Sequence, residues 1–262
     1  MTLFFTLNPT IRKIIAVAAI PLCLIAAWVS AKAALSRLMA KSSTIVNSVT
    51  LAQQAVQVTP NDPEAHRALA ALLRNEDRVA EAETQLEIAA NLRPLDDLIW
   101  LDLGLVRDQL EDGDGAIAAL NESVRLAPYY GHPRWQRGNV LLRQGRYDDA
   151  FADLRQAAKS NPDLQLNLID LTWGISKFDP KLTEQILQID NEQMRVAFAR
   201  FLARKGLGPE ALDQFRRCAY VSPQIRKEMV YNLIAKKSFR EAFAIWSNGS
   251  SAPAIFDGGF EM

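Results

Sequence analysis

Prolines recur at one fixed interval in the middle of this 262-residue chain, at Pro60, Pro94, Pro128 and Pro162. We call the step from each of these prolines to the next the repeat period. Three further columns keep the same period: a small residue at Ala70, Gly104 and Gly138, an alanine at Ala82, Ala116 and Ala150, and a leucine at Leu86, Leu120 and Leu154. Several columns that share one period indicate an internal repeat. Such a chain must fold as a stack of similar units, each burying its apolar face against a neighbour.

Each column has a physical role in a pair of antiparallel helices. The small residue of the first helix and the alanine of the second let the two helices approach closely, and the leucine fills the space beside their contact. The proline ends the second helix because it cannot continue the hydrogen-bond ladder. Asp62, Pro63 and Glu64 then suit the start of the next helix. We therefore predict that the unit is a helical hairpin.

The composition favours helix throughout the chain. Only 12 glycines and 12 prolines are present, and alanine, leucine, arginine, glutamine and glutamate are abundant. Alternating β-branched runs bounded by turn dipeptides, which indicate strands, are nearly absent. We therefore predict an all-α fold.

The three regular units read EAHRALAALLRNEDRVAEAETQLEIAANLRP, LIWLDLGLVRDQLEDGDGAIAALNESVRLAP and HPRWQRGNVLLRQGRYDDAFADLRQAAKSNP. This pattern resembles the tetratricopeptide repeat, and the resemblance covers Pro60 to Pro162. It implies a right-handed superhelical solenoid of helical hairpins, with a concave groove lined by the first helix of each hairpin.

The third unit departs from the pattern at two positions. Arg137 stands where Leu69 and Leu103 predict a leucine, and Trp135 lies one place later in the repeat than Trp100. We expect this unit to pack or to expose its first helix differently.

The repeat is less regular outside residues 60–162. Residues 163–247 are predicted to form shortened, degenerate units, with Ala211, Phe215 and Pro223 in the expected columns. Residues 32–59 are predicted to be a linker, Lys32–Ser42, followed by a lone second helix, Thr44–Val58.

The N-terminal region contains an apolar segment. Residues 1–13 form a head that ends in Arg12 and Lys13, and no charge follows from Ile14 to Ala31. That length suits a bilayer core, and Trp28 suits its interface. A retained transmembrane anchor at residues 14–31 is the favoured interpretation. A cleaved signal peptide and a buried core helix are the alternatives.

A short basic head before an apolar run is typical of export, although the basic residues after the segment slightly oppose an N-terminus inside the cell. We expect a single-pass protein of the bacterial inner membrane whose soluble part is periplasmic.

Little in the sequence points to catalysis. His66 and His132 lie near the starts of first helices and are interpreted as surface polar groups, and Cys218 as a small core residue. We predict no cofactor and no metal site, since two cysteines and two histidines show no ligand spacing. Because the net charge is zero, we also expect no nucleic-acid partner. The chain is therefore predicted not to be an enzyme.

The groove implied by the resemblance is the candidate partner site. Its predicted residues are Glu64, Arg67, Arg74, Asn75, Leu98, Leu101, Leu105, Asp108, Gln109, His132, Trp135, Asn139 and Arg143. A stripe of leucines beside a tryptophan predicts a groove for a protein or peptide ligand with an apolar anchor. The alternative is that the chain's own Lys32–Val58 region, or its final helix, covers those leucines.

The C-terminal residues 248–262 begin as a polar linker, and the phrase IFDGGFE resembles the first strand of a secreted jelly-roll module; a disordered tail is the alternative. The phrases PYYGHPRWQRGNVLLRQGR and LIDLTWG resemble membrane-anchored repeat proteins, several of them associated with exopolysaccharide production. The resemblance implies a non-catalytic scaffold at the cell envelope. A cytoplasm-facing assembly factor, and the repeat part of a larger sugar-binding protein or enzyme, are the alternatives.

Overall fold

The computed structural model describes the backbone of residues 9–247 and the side chains of residues 17–247. All regular structure in this range is helical and no strand occurs among the described residues, which confirms the all-α prediction. The chain divides into two compact units, Met1–Pro128 and Tyr129–Met262. The strand predicted in the tail lies outside the described residues.

Unit 1 is built from consecutive helical hairpins, in which each helix packs against its neighbour in sequence. The helices are α1 (Pro9–Val46), α2 (Val49–Val58), α3 (Pro63–Asn75), α4 (Val79–Leu92), α5 (Asp97–Gln109) and α6 (Gly113–Leu126). Asp62 and Asp96 cap α3 and α5, each accepting a hydrogen bond from a backbone amide of the first turn. The predicted helix start at Asp62, Pro63 and Glu64 is confirmed.

Helix α1 differs from the prediction. Residues 32–42, expected to be a linker, continue the helix of the apolar segment without a break. Ser36 is buried there, and its hydroxyl donates to the carbonyl of Ala55 in α2 at 3.0 Å. Since Ser36 precedes Ala70 by one repeat period, it occupies the small-residue column of the repeat. The linker prediction is therefore wrong: the C-terminal part of α1 packs as the first helix of an additional hairpin, whose second helix, α2, begins at Val49.

The repeat columns mark the closest approach of the two helices in each hairpin. Ala82, Ala116 and Ala150 are completely buried. A Cβ added to Gly104 would lie 2.6 Å from Leu120 Cγ, and one added to Gly138 would lie 2.7 Å from Leu154 Cγ. Side chains larger than alanine therefore do not fit at these contacts without movement, which confirms the role predicted for the small residues.

The turns within the hairpins also repeat. Asp77, Glu111 and Gly145 follow one another at the repeat period, and all have left-handed backbones, with φ of 62°, 63° and 75°. In each turn the next amide donates to a carbonyl near the end of the first helix, as from Arg78 N to Leu73 O at 2.9 Å. This pattern satisfies carbonyl groups that the helix itself leaves without a partner.

Unit 2 is also built from helical hairpins, and these are of less regular length. Its helices are α7 (Gly131–Arg143), α8 (Tyr147–Ser160), α9 (Leu164–Ile175), α10 (Pro180–Leu187), α11 (Glu192–Lys205), α12 (Gly208–Arg216), α13 (Pro223–Ala235) and α14 (Phe239–Trp246). An apolar core runs through much of the described part of the unit, with Leu154, Ile169, Phe198 and Leu202 among its buried residues.

Candidate functional site

In unit 1 the predicted groove residues lie on α3 and α5. Asn75, Leu98 and Gln109 are exposed, and Arg67, Arg74, Leu105 and Asp108 are partly buried. These residues are accessible to a ligand to different degrees, and Leu98 is the most exposed of the three predicted leucines.

The leucines of the predicted stripe differ in exposure. This side chain is only 6% exposed, whereas Leu98 is 41% exposed. The chain itself withdraws Leu101 from water, as expected for an apolar side chain that its own fold can cover. Leu101 is therefore not an anchor point for a partner in this structure.

In unit 2 the predicted residues Trp135, Asn139 and Arg143 follow one another along α7 at helical spacing. Arg143 is exposed, and Trp135 and Asn139 are partly buried. Trp135 packs against the apolar core of unit 2, so part of its ring serves the fold. His132 is exposed and lies 3.3 Å from the Gln136 amide nitrogen.

A charged pocket of about 570 Å³ is lined by residues of α1, α3 and α5. Arg37 and Lys41 come from α1, Glu64 and Arg67 from α3, and Asp102 from α5. The sequence prediction included Arg67 and Glu64 but missed Arg37, Lys41 and Asp102. Because residues 32–42 were interpreted as a linker, the side chains of α1 were not considered; Ser36, in register with Ala70, was the signal that could have placed them.

Arg67 and Asp102 fix one wall of this pocket. Arg67 Nε donates to Asp102 Oδ2 at 2.7 Å, and the two side chains are 30% and 29% exposed. Partial burial lowers the pKa of Arg67, but the hydrogen bond to Asp102 and its negative charge outweigh this effect, so the pKa is raised above its ordinary value. The guanidinium stays charged and is held in one orientation.

The positive charges of α1 are less constrained. Arg37 is 64% exposed, with Nε 3.6 Å from Asp62 Oδ2. That carboxylate oxygen is buried and accepts no hydrogen bond in the described part of the chain. A ligand with acidic or carbonyl oxygens would meet Arg37 and Lys41 at the open side of the pocket.

Glu64 takes part in a network that links two hairpins. Arg93 donates to Glu64 Oε1 at 2.7 Å and to Asp96 Oδ2 at 3.1 Å. The hydrogen bond to Glu64, followed by that to Asp96, raises the pKa of Arg93. Glu64 therefore contributes to the fold as well as to the rim of the pocket.

The interpretation of His66 as a surface group is wrong. His66 is 4% exposed, and its ring nitrogens lie 2.7 Å from Gln85 Oε1 and 2.8 Å from the carbonyl of Pro60. At the equivalent position of the next unit, Trp100 Nε1 donates to the carbonyl of Pro94 at 2.9 Å. Both side chains satisfy the carbonyl of the proline that precedes their helix, which is a structural role.

The remaining titratable groups of interest are possible metal ligands and Cys218. No group of three or more His, Cys, Asp or Glu side chains that could hold a metal ion occurs among the described residues. Cys218 is partly buried and its thiol lies 3.3 Å from the carbonyl of Gln214. Burial, followed by the charge of Glu192, raises the pKa of Cys218 to about 11.

The N-terminal helix has a membrane-like character. Residues Val17–Val46 contain a stretch with mean hydropathy 1.8, none of it buried, that is long and apolar enough to cross a membrane. A signal sequence near an N-terminus has the same character.

Tandem helical hairpins with regular spacing and tight alanine contacts define a helical repeat protein. Residues 71–131 and 136–173 match the family model described as tetratricopeptide repeat. These two stretches therefore match tetratricopeptide repeats, a class whose stacked hairpins present extended surfaces for protein–protein interaction.

Individual relatives are similar over part of the chain. Protein FlbA of Caulobacter vibrioides is 34% identical over 101 residues, which are 38% of this chain and 17% of FlbA. DnaJ homolog subfamily C member 3 of Homo sapiens is 29% identical over 101 residues, which are 38% of this chain and 20% of that protein. The chain thus spans about a fifth of the length of these two relatives.

Among solved structures, residues 41 to the end of MamA from Desulfovibrio magneticus RS-1 align with a TM-score of 0.51 at 17% identity, covering 60% of this chain and 92% of that one. This likeness concerns the fold.

Proposed function

We propose that this chain is a membrane-anchored scaffold that holds a protein or peptide partner at the bacterial cell envelope. The observation that carries the proposal is the continuity of α1. Its N-terminal part exposes large apolar side chains, among them Leu24, Ile25 and Trp28. Its C-terminal part buries Ser36 and Ala40 against the repeats. A single helix therefore joins an apolar segment directly to the partner-binding fold.

Membrane anchoring is tested by fractionation. The full-length chain is expected to stay in the membrane pellet after alkaline carbonate extraction. Leu24→Lys with Ile25→Lys should release it, because each lysine at the centre of a span costs about 3 kcal/mol. Ile45→Lys with Val46→Lys, at exposed positions near the other end of α1, is the matched control and should remain in the pellet. Carbonate-soluble parent protein would refute the anchor.

Orientation is tested with reporters. We propose that the repeats lie in the periplasm. Alkaline phosphatase joined after residue 247 should then be active in bacterial cells, and a fluorescent protein that requires the cytoplasm should be dark at the same position. The opposite pair of results would favour a cytoplasm-facing assembly factor.

For the partner site, we propose the pocket lined by Arg37, Lys41 and Arg67 in unit 1. The exposed Leu98 lies on α5, the helix that contributes Asp102 to the pocket. The basic side chains suit a segment with acidic side chains or a free carboxylate. Trp135, Asn139 and Arg143 of α7 are a second proposed contact surface. We propose no metal and no cofactor for either set.

Charge reversal tests this site once a partner has been captured with the full-length chain. Arg37→Glu with Lys41→Glu should weaken binding at least tenfold, with a larger loss at low ionic strength because screening is weaker there. The control is Arg125→Glu with Arg146→Glu, which changes the net charge by the same amount at exposed side chains outside the pocket. Equal effects of the two double changes would exclude the pocket.

A role in exopolysaccharide assembly or export is the more specific part of the proposal, and it rests on the sequence resemblance. Deletion of the gene should lower secreted polysaccharide, and the charge-reversed chain should fail to restore it. Unchanged polysaccharide would leave the scaffold proposal in place and remove this role.

A further inference from the structure

An apolar groove of about 700 Å³ lies on α13 and α14 in unit 2. Its lining includes Val230, Tyr231, Ile234, Phe239, Phe243 and Trp246. Tyr231, Phe239 and Trp246 are 61%, 60% and 65% exposed. Large aromatic side chains at such exposure are costly unless something covers them.

In the preceding hairpin, α11/α12, the positions equivalent to this groove can be compared with those of α13/α14. The left-handed turn residues Gly206 and Lys237 occupy equivalent places in α11/α12 and α13/α14, and they set the register between the two hairpins. In that register, Val230, Ile234 and Trp246 correspond to the residues Ala199, Ala203 and Phe215, which are all buried.

The next hairpin, α13/α14, packs against the hairpin α11/α12. A Cβ added to Gly208 at the start of α12 would lie 3.0 Å from Ser238 and 3.1 Å from Glu241. On α13/α14 the same columns hold larger apolar residues, which suit an irregular peptide better than they suit another tightly packed helix.

The charge of the groove indicates which kind of segment could occupy it. Arg226 and Lys227 line it, and none of its described lining residues is acidic. Arg226 Nε is buried and has no hydrogen-bond partner among the described atoms. An occupant that combines apolar side chains with carboxylates would cover the rings and supply an acceptor to Arg226.

We propose that the chain's own residues 248–262 occupy this groove. Their sequence, NGSSAPAIFDGGFEM, provides Ile255, Phe256 and Phe260 as apolar groups and Asp257 and Glu261 as acids. The segment starts just after Trp246, which lines the groove, and its polar first residues can span roughly 3.3 Å each. The tether gives the segment an effective concentration of the order of millimolar, so weak contacts suffice.

The test uses the full-length chain in detergent micelles and a fluorescein-labelled peptide of residues 250–262, followed by fluorescence anisotropy. In the parent, the tethered segment should compete with the peptide. Phe256→Ser with Phe260→Ser in the chain should free the groove and tighten peptide binding at least tenfold. A peptide carrying the same two serines should not bind, and protein-free micelles report any partition into detergent.

A second substitution tests whether the peptide binds in the groove itself. In the Phe256→Ser, Phe260→Ser chain, Trp246→Glu should abolish peptide binding, whereas Tyr147→Glu, at a similarly exposed ring on α8, should not. Equal peptide binding to the parent and the serine variant, or no binding to either, would overturn the proposal. Self-association of the serine variant without peptide binding would assign the groove to a second copy and would also overturn it. None of these outcomes depends on the membrane anchor or on the unit 1 pocket.

Discussion

Arg137 of α7 and Asp153 of α8 form a two-point ion pair, with Arg137 Nε 2.6 Å from Asp153 Oδ2 and Nη2 2.7 Å from Oδ1. One repeat period earlier, the same positions hold Leu103 and Ala119, both in an apolar core. The departure from leucine at Arg137 is therefore matched by a second departure on the facing helix. Only 9% of the Asp153 side chain and 20% of that of Arg137 are exposed.

Removing one partner of this pair should be far more harmful than removing both. Asp153→Ala leaves a partly buried guanidinium without its carboxylate, and we expect it to lower the free energy of unfolding by about 3 kcal/mol. Arg137→Leu with Asp153→Ala recreates the apolar pair of the preceding unit. Besides the ion pair itself, it loses the long 3.5 Å contact from Arg134 to Asp153, and it should lie within about 1 kcal/mol of the parent. Urea unfolding of the full-length variants, followed by circular dichroism, gives both values. A double variant as unstable as Asp153→Ala would show that the pair cannot be exchanged for an apolar contact.

The constant repeat period made the hairpins predictable, because small side chains are needed wherever two helices touch. Ala116, Gly138 and Leu154 could be placed from their columns alone. The ion pair was harder to predict. Arg137 departs visibly from the leucine column, but its partner Asp153 lies on the facing helix in a column that also contains Gln85 and Ala119. That column has no constant residue type, so an aspartate in it does not stand out.

The candidate site was harder to predict than the fold. Burial of Leu101 depends on what the chain itself places over α5, and the helix register alone does not give this. The basic residues Arg37 and Lys41 were missed because a helix that begins as an apolar segment was interpreted as ending before the repeats. This helix has no proline or glycine between its apolar part and the part that packs on the repeats. The sequence therefore contains no helix-breaking residue that marks the boundary.

The contact between Ala150 and Gly138 offers a sharp packing test. Ala150 is completely buried, and its carbonyl lies 3.1 Å from where a Cβ on Gly138 would be. Ala150→Leu should overpack this contact and lower the free energy of unfolding by about 1–3 kcal/mol. The control is Ala152→Leu, at an exposed position two residues along α8, which should change stability by less than about 0.5 kcal/mol. A thermal melt that does not separate the two variants would contradict the role given to the alanine column.

The turn residues predict a stabilising change. Glu111 has φ of 63°, a left-handed conformation that costs a residue with a Cβ about 1–2 kcal/mol. Glu111→Gly removes this cost, and after the entropy of the added glycine we expect a gain of about 0.5–1 kcal/mol. Gly145→Ala, at the equivalent turn with φ of 75°, should lose about 1 kcal/mol. Denaturant midpoints of the two variants should therefore move in opposite directions, and a shared direction would refute the backbone explanation.

The raised pKa of Cys218 should appear in its alkylation rate. Burial disfavours the thiolate, and with a pKa of about 11 rather than the ordinary 9.0, the thiolate fraction at pH 8 is about 100-fold lower. Because the folded pKa is raised, the thiol stays protonated below it, and the rate should climb about tenfold per pH unit until near pH 11. The measurement uses the Cys23→Ser chain, in which Cys218 is the one remaining thiol, with iodoacetamide and mass spectrometry. In urea the pH–rate midpoint should fall back to about 9; the same midpoint in folded and unfolded protein would mean that the folded environment does not hold the thiol protonated.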